Sequence, residues 1–160
     1  EVFGKLWAII IPYSKGEITV KECWKRIKKD LKTDLSEENL ERIYVKGLKI
    51  NNRVVELVKL LKKNYKVGLL TNTEKFAFEK WRKIYFNKLF DVIVTSYEVG
   101  VRKPDAKIYK KMLKILKVRP KEVVFIDDET PNILGAKKLG IKVILFKNAD
   151  QLKNDLKQYL

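Results

Sequence analysis

The chain has 160 residues and a formal net charge of +16, with 46% hydrophobic and 35% charged residues, which fits one globular domain, or one with a small insert, long enough to bury a core. It holds no histidine and one cysteine, Cys23, so Ser-His-Asp and Cys-His catalysis, histidine-bound metal sites and an internal disulfide are excluded. The longest apolar run, Leu6 to Ile11, is too short to span a bilayer, and no charged-then-apolar leader is evident, so a cytoplasmic protein with no membrane contact is expected.

The basic surplus falls mainly beyond residue 50 and mostly on polar positions of amphipathic segments. Without an arginine-rich run or aromatic-basic alternation, this reads as a solvated lysine surface of thermophile-like composition and argues against a nucleic-acid partner.

Residues 1–50 are expected to be helical. VFGKLWAIII places Phe3, Leu6, Trp7 and Ile10 at helical spacing, and SKG then breaks the pattern. Thr19 and Glu22 form a capping box ahead of Trp24, Ile27 and Leu31. Ser36, followed by Glu37 and Glu38, opens another helix with Leu40, Ile43 and Tyr44 on one face.

From residue 51 the rhythm alternates. RVVELVKLLKKNY reads as a helix, KVGLLT as a strand, EKFAFEKWRKIYF as a helix and DVIVTS as a strand. PDAKIYKKMLKIL is then a helix, EVVFID a strand, TPNILGAKKLG a short helix capped by Thr130, KVILF a strand and ADQLKNDLKQYL a closing helix. Strands separated by helices predict an α/β fold: a doubly wound, Rossmann-like parallel sheet over 51–160, with a small helical unit over 1–50.

In such a sheet every strand delivers its C-terminal end to one edge, where ligands sit. Thr71-Asn72-Thr73, the stretch from Ser96 to Arg102-Lys103-Pro104-Asp105, and Asp127-Asp128 are therefore expected to converge. Adjacent carboxylates repel and call for a cation, and hard oxygen donors with room for water and phosphate suggest Mg²⁺. Thr71, Asn72 and Lys103 would then hold the non-bridging oxygens of a phosphoryl group. Ser96, Glu98 and Glu129 read as loop and cap residues; Cys23, Trp7 and Trp24 read as core of the helical unit.

The stretches LLTNT, GVRKPDAKIYKKML and VVFIDDETPNILGAKKLGI together closely resemble the second, third and fourth motifs of the haloacid dehalogenase-like hydrolases, a likeness that covers roughly residues 50–147. Residues 14–50 look like the small helical cap that many of these enzymes carry after their first motif. The resemblance implies that Thr71 and Asn72 bind the transferred phosphate, that Lys103 neutralises phosphate and nucleophile, and that Asp128 binds Mg²⁺ with support from Asp127. Asn132 stands at a position often used near the metal.

The family's nucleophile is an aspartate in an Asp-x-Asp pattern at the end of the first, central strand, and the chain contains no such pattern. Either that segment lies upstream of Glu1, or LWAIII is itself the first strand and Pro12 and Ser14 replace the acids. In both cases the chain by itself is expected to be inactive, with strands 66–71 and 91–95 paired on one side of the missing strand and 123–127 and 143–146 on the other. The leading expectation is a Mg²⁺-dependent phosphatase of a small-molecule phosphate ester. The alternatives are a catalytically inactive relative, a basic binding module and, less well supported, a 2-haloacid dehalogenase. A response regulator fits worse, because the acidic pair follows a late strand. Substrate and oligomeric state are not legible.

Overall fold

A computed structural model describes residues 2–159, with side chains from Leu6 onward; the Glu1 start and the Phe3 side chain lie outside the described residues. Three helices come first: α1 (Val2–Ser14), α2 (Val20–Leu31) and α3 (Glu37–Gly47). Ser36 Oγ accepts the Asn39 N–H at 3.2 Å and Thr19 Oγ1 accepts the Glu22 N–H at 3.2 Å, so both N-caps form. The return half of the Thr19 box does not. The Glu22 carboxylate accepts from Arg26 Nε at 2.8 Å one turn on, a charge-assisted bond that outcompetes a neutral N–H.

Tyr13, Cys23, Trp24, Ile27 and Leu40 bury one another in a cluster that takes in Phe76 from beyond the helical unit. Burial pushes the Cys23 thiol up to about 11, which marks it as an inert core residue. Three residues expected inside are outside: Trp7 is 48%, Leu31 42% and Ile43 57% exposed. Three short helices have too few neighbours to cover every apolar face, and Trp7 instead lies beneath the Arg102 guanidinium, 5.9 Å from the ring centroid.

The alternating portion contains α4 (Asn52–Leu61), β1 (Gly68–Thr71), α5 (Lys75–Trp81), a π turn (Arg82–Phe86), α6 (Asn87–Leu89), β2 (Val92–Thr95) and α7 (Ser96–Val99). It continues with α8 (Ala106–Leu116), a 3₁₀ turn (Pro120–Glu122), β3 (Val124–Asp127), α9 (Thr130–Lys137), β4 (Lys142–Leu145) and α10 (Ala149–Leu156). The α/β class holds, with parallel strands. The expected helix 74–86 is divided by the π turn, α7 and the 3₁₀ turn were not foreseen, and α9 is capped at Glu129, one residue earlier than expected.

The strands form two parallel pairs, the pairing expected on either side of a missing strand. β1 pairs with β2, from Gly68 opposite Val92 to Thr71 opposite Thr95, and β3 pairs with β4, from Val124 opposite Lys142 to Asp127 opposite Leu145. Among the described residues no strand joins the pairs. Leu6 to Ile11 do not join them: the residues lie in α1, which packs on α2 and α7. The reading of LWAIII as a first strand is therefore overturned, because its apolar residues recur with the period of a helix.

Alternation along β3 and β4 places helices on both faces. Phe125 and Val143 pack with Ile108, Tyr109 and Met112 of α8, whereas Val124, Ile126 and Ile144 pack with Leu57 and Leu61 of α4 and Leu152 and Leu156 of α10. At the entrance to β1 and β2, Val67 and Asp91 exchange two bonds: Asp91 N–H donates to Val67 O at 2.8 Å, and Asp91 Oδ2 accepts the Val67 N–H at 2.8 Å. Lys62 Nζ lies 3.1 Å from Asp91 Oδ1. The Val67 N–H, followed by Lys62, holds the Asp91 carboxyl below the usual carboxylate range. A depressed folded pKa stabilises above the unfolded value, and the contribution is lost as pH falls through the folded one. Asp91→Asn is expected to lower the melting temperature at pH 7 by roughly 1–2 °C, as for about 0.5 kcal/mol once solvent screening of this exposed carboxylate is allowed for. The gap from the native chain should close on acidification toward about pH 3; a gap of equal size at both pH values would contradict the assignment.

Candidate functional site

The tips of β1 and β3 meet through one side chain. Lys103, in the segment between α7 and α8, donates from Nζ to Leu70 O at 3.1 Å and to Asp127 Oδ2 at 2.5 Å, and its ammonium stands 5.6 Å from the Phe125 ring centroid. The side chains are 9% and 5% exposed. An ion pair this well covered keeps its geometry only when the remaining oxygens are also satisfied. Asp127 Oδ1 accepts from the Glu129 N–H at 3.0 Å and from Asn132 Nδ2 at 2.9 Å, and Asn132 Nδ2 also donates to Glu129 Oε2 at 2.7 Å.

The Lys103 backbone is held as firmly. Its N–H donates to Asn72 Oδ1 at 2.8 Å, and its carbonyl accepts from Asn72 Nδ2 at 3.1 Å. The Asn72 carboxamide thus behaves as a short strand partner for a segment that has none. Behind this segment, Gly135 of α9 lets Pro104 approach so closely that a Cβ on Gly135 would stand 2.8 Å from Pro104 Cβ and Pro104 O. Tyr109 Oη donates to Asn132 O at 2.8 Å. Burial first, then the charges of Asp127 and Glu129, push the Tyr109 phenol well up, so it stays a donor.

Thr71 ends β1 opposite Thr95. The loop that follows is pinned by fully buried Ser96, whose Oγ accepts the Thr73 N–H at 3.1 Å and donates to Thr73 O at 3.3 Å. Glu98 accepts from Thr95 and Arg82. Ser96, Glu98 and Glu129 therefore serve the loops, as expected. Thr71, Asn72, Lys103, Asp127, Asp128 and Asn132 are brought to one rim. Within it Asn72 is turned toward the backbone of Lys103, and Asn132 toward Asp127.

The cation answering the acidic pair is the chain's own ammonium, on Asp127; Asp128 is exposed. Among the described residues no group of three or more His, Cys, Asp or Glu side chains could enclose a metal. That donor set still suits Mg²⁺, which prefers one or two carboxylates plus phosphate oxygens and water to an all-protein cage.

Three features escaped the sequence reading. Asn72's grip on Lys103 and the Gly135–Pro104 approach carry no local signal beyond the presence of Asn and Gly. Glu74, buried just after the Thr71–Thr73 loop, accepts from Tyr44 Oη at 2.9 Å and ties that loop to α3; its position directly after TNT was the available clue.

The sequence pattern of the haloacid dehalogenase-like hydrolases matches residues 9–146. Glyceraldehyde 3-phosphate phosphatase of Pyrococcus furiosus is 35% identical over 105 residues, covering 62% of this chain and 42% of that protein. A phosphorylated carbohydrates phosphatase of Thermotoga maritima is 32% identical over 136 residues, covering 84% of this chain and 61% of that protein. The chain thus spans less than two thirds of either relative. A family enzyme from Bacteroides thetaiotaomicron, crystallised as an aspartate-to-alanine variant with magnesium and inorganic phosphate, shares the fold with a TM-score of 0.81 at 27% identity, covering 91% of this chain and 78% of that one.

Lys103→Met leaves the Asp127 carboxylate buried without its cation and is expected to cost about 3–5 kcal/mol in urea denaturation. Adding Asp127→Asn should restore most of that loss, whereas Asp128→Ala, at an exposed site, should stay within about 0.5 kcal/mol of the native chain. Equal stability of the single and double variants would show that the pair is uncoupled.

Proposed function

Because the chain belongs to the haloacid dehalogenase-like hydrolases, we propose that it is a Mg²⁺-dependent phosphomonoester phosphatase acting on a small phosphorylated molecule. The observation that carries this reading is the Lys103 ammonium, locked between the ends of β1 and β3. It is a fixed positive charge, with little freedom to lose when a phosphoryl group arrives. The phosphatase relatives and the magnesium and phosphate held by the Bacteroides enzyme support it.

In this reading the Thr71 hydroxyl donates to a phosphate oxygen, while the Thr73 N–H stays with Ser96 and holds the loop in place. Lys103 balances the phosphate charge, and Asn72 acts mainly by positioning Lys103. Asp128, with Asp127 behind it and Asn132 holding Asp127 in place, would hold Mg²⁺, which supplies a countercharge to the phosphoryl group. Lys103 and Asp127 also place opposite charges side by side, so an arriving phosphate competes with Asp127 for the ammonium.

Phosphoryl transfer would run through an aspartyl-phosphate whose nucleophile is none of the aspartates present. Asp30 lies in α2 and Asp34 in the segment after it; Asp91 precedes β2, Asp105 caps α8, Asp127 is engaged, and Asp150 and Asp155 lie in or near α10. A carboxylate delivered between β1 and β3 would attack phosphorus and expel the alcohol, and water would then cleave the acyl phosphate. The chain by itself is therefore expected to bind without turning over. The dehalogenase alternative is less well supported, since that reaction has no use for a metal-holding acid such as the exposed Asp128.

Calorimetric titration with inorganic phosphate tests this reading. Binding should tighten at least about tenfold with MgCl₂ present, and Asp128→Ala should abolish that gain. Absence of phosphate binding by the native chain, or a magnesium gain undiminished by Asp128→Ala, would sink the proposal.

A further inference from the structure

Beside Lys103 stands a second cation that the proposed chemistry leaves unused. Arg102 is half-buried between the end of α1 and the loop after α7. Its Nη1 donates to the Oγ of fully buried Ser14, and Ser14 Oγ in turn donates to Ile11 O at 2.9 Å. Its face lies over Trp7. A guanidinium carries five N–H donors in a planar fork. Among the described residues, one of them has a hydrogen-bond partner and no carboxylate lies within ion-pair distance. Glu74 and Glu129 act on it only through space, and burial draws its pKa below the usual guanidinium value.

Arg102 lines a cavity of about 450 Å³ together with Lys15, Glu17, Lys103, Pro104 and Asp105. The two acids of that lining are already committed: Glu17 lies 3.4 Å from Lys15, and Asp105 caps α8 by accepting the Lys107 N–H at 2.8 Å. Lys103 is committed to Asp127. Arg102 is therefore the cation of that lining with no carboxylate partner among the described residues, held to one side by Ser14 and on one face by an aromatic ring, in the residue next to Lys103. Helix-end stabilisation accounts for the bond to Ser14, since a cation at the C-terminus of α1 is favourable. It does not account for the remaining donors, which adjoin a cavity of substrate size.

We propose that Arg102 recognises a second anionic group, a carboxylate or a second phosphate, on the phosphorylated substrate, and so selects doubly anionic phosphate esters over singly anionic ones. This inference rests on the phosphatase reading above and adds the substrate class. The planar fork suits either group in a two-point contact, and the Ile11 and Val101 side chains of the lining suit the short carbon chain between the anions. Arg102 acts in specificity and takes no part in phosphoryl transfer.

The test is calorimetry on the chain as it stands, with MgCl₂ at a fixed 0.15 M ionic strength chosen to limit the general pull of the basic surface. The probes are inorganic phosphate, glycerol 3-phosphate, 3-phosphoglycerate and propane-1,3-diol bisphosphate. The expected result is Kd at least about tenfold lower for 3-phosphoglycerate or the bisphosphate than for glycerol 3-phosphate, and the arm that gains identifies the second anion. Arg102→Gln should erase that gain and leave inorganic phosphate binding unchanged, while Lys153→Gln, the same charge change on α10, should leave the gain intact. Should Arg102→Gln fail to fold, Arg102→Lys keeps the charge at the end of α1 and should still lose most of the gain. Equal affinity of the three esters for the native chain, or a gain that survives loss of the guanidinium or falls equally with Lys153→Gln, overturns the inference while leaving the phosphatase reading in place. Failure of inorganic phosphate itself to bind overturns both.

Discussion

The bond from the Lys103 ammonium to Asp127 and Leu70 O is the constraint on which the rest of the rim depends. It is the described polar link between two strand pairs that share no strand, and nearly every other contact at the rim serves one of its ends. Asn72 fixes the Lys103 backbone, Gly135 admits Pro104 beside it, and Asn132 and the Glu129 N–H hold the far side of the Asp127 carboxylate. A covered ion pair stabilises little unless its surroundings are preorganised. Here they are, and the cost of that preorganisation is borne by groups far apart in sequence.

The distance in sequence explains what could be read in advance. The strands were legible because KVGLLT, DVIVTS, EVVFID and KVILF are short apolar runs between turn residues, and the helices because their apolar positions recur with the helical period. That Thr71, Lys103 and Asp128 share a rim followed from parallel topology alone. Which group faces which did not follow. Lys103 and Asp127 are separated by 24 positions, and no local pattern reveals that the ammonium bonds to that carboxylate. Glu22 turning to Arg26, Trp7 facing out and the π turn within 74–86 have the same origin: tertiary neighbours decided among options that were locally close in energy.

The helical unit is not independent of the rim. Phe76, at the start of α5, stacks on Tyr13 at 5.8 Å and meets Trp24 at 4.9 Å and Tyr44 at 5.3 Å between ring centroids, while its N–H donates to Tyr13 Oη. With Glu74 bonded to Tyr44 and Ser96 gripping Thr73, the loop that ends β1 is anchored on one side by the strands and on the other by α1–α3. Aromatic contacts of this kind contribute about 0.5–1.5 kcal/mol each beyond their area, enough to couple the loop that ends β1 to the first three helices.

The splitting of the strands into two pairs also bears on how copies of the chain behave toward each other. Each pair ends in strand edges that carry no strand partner among the described residues, and bare edges are templates on which another polypeptide can extend a ladder. The charge of +16 opposes such self-association by mutual repulsion. Because salt weakens that repulsion and leaves the backbone groups unchanged, dilute buffer is the medium in which this chain keeps best to itself.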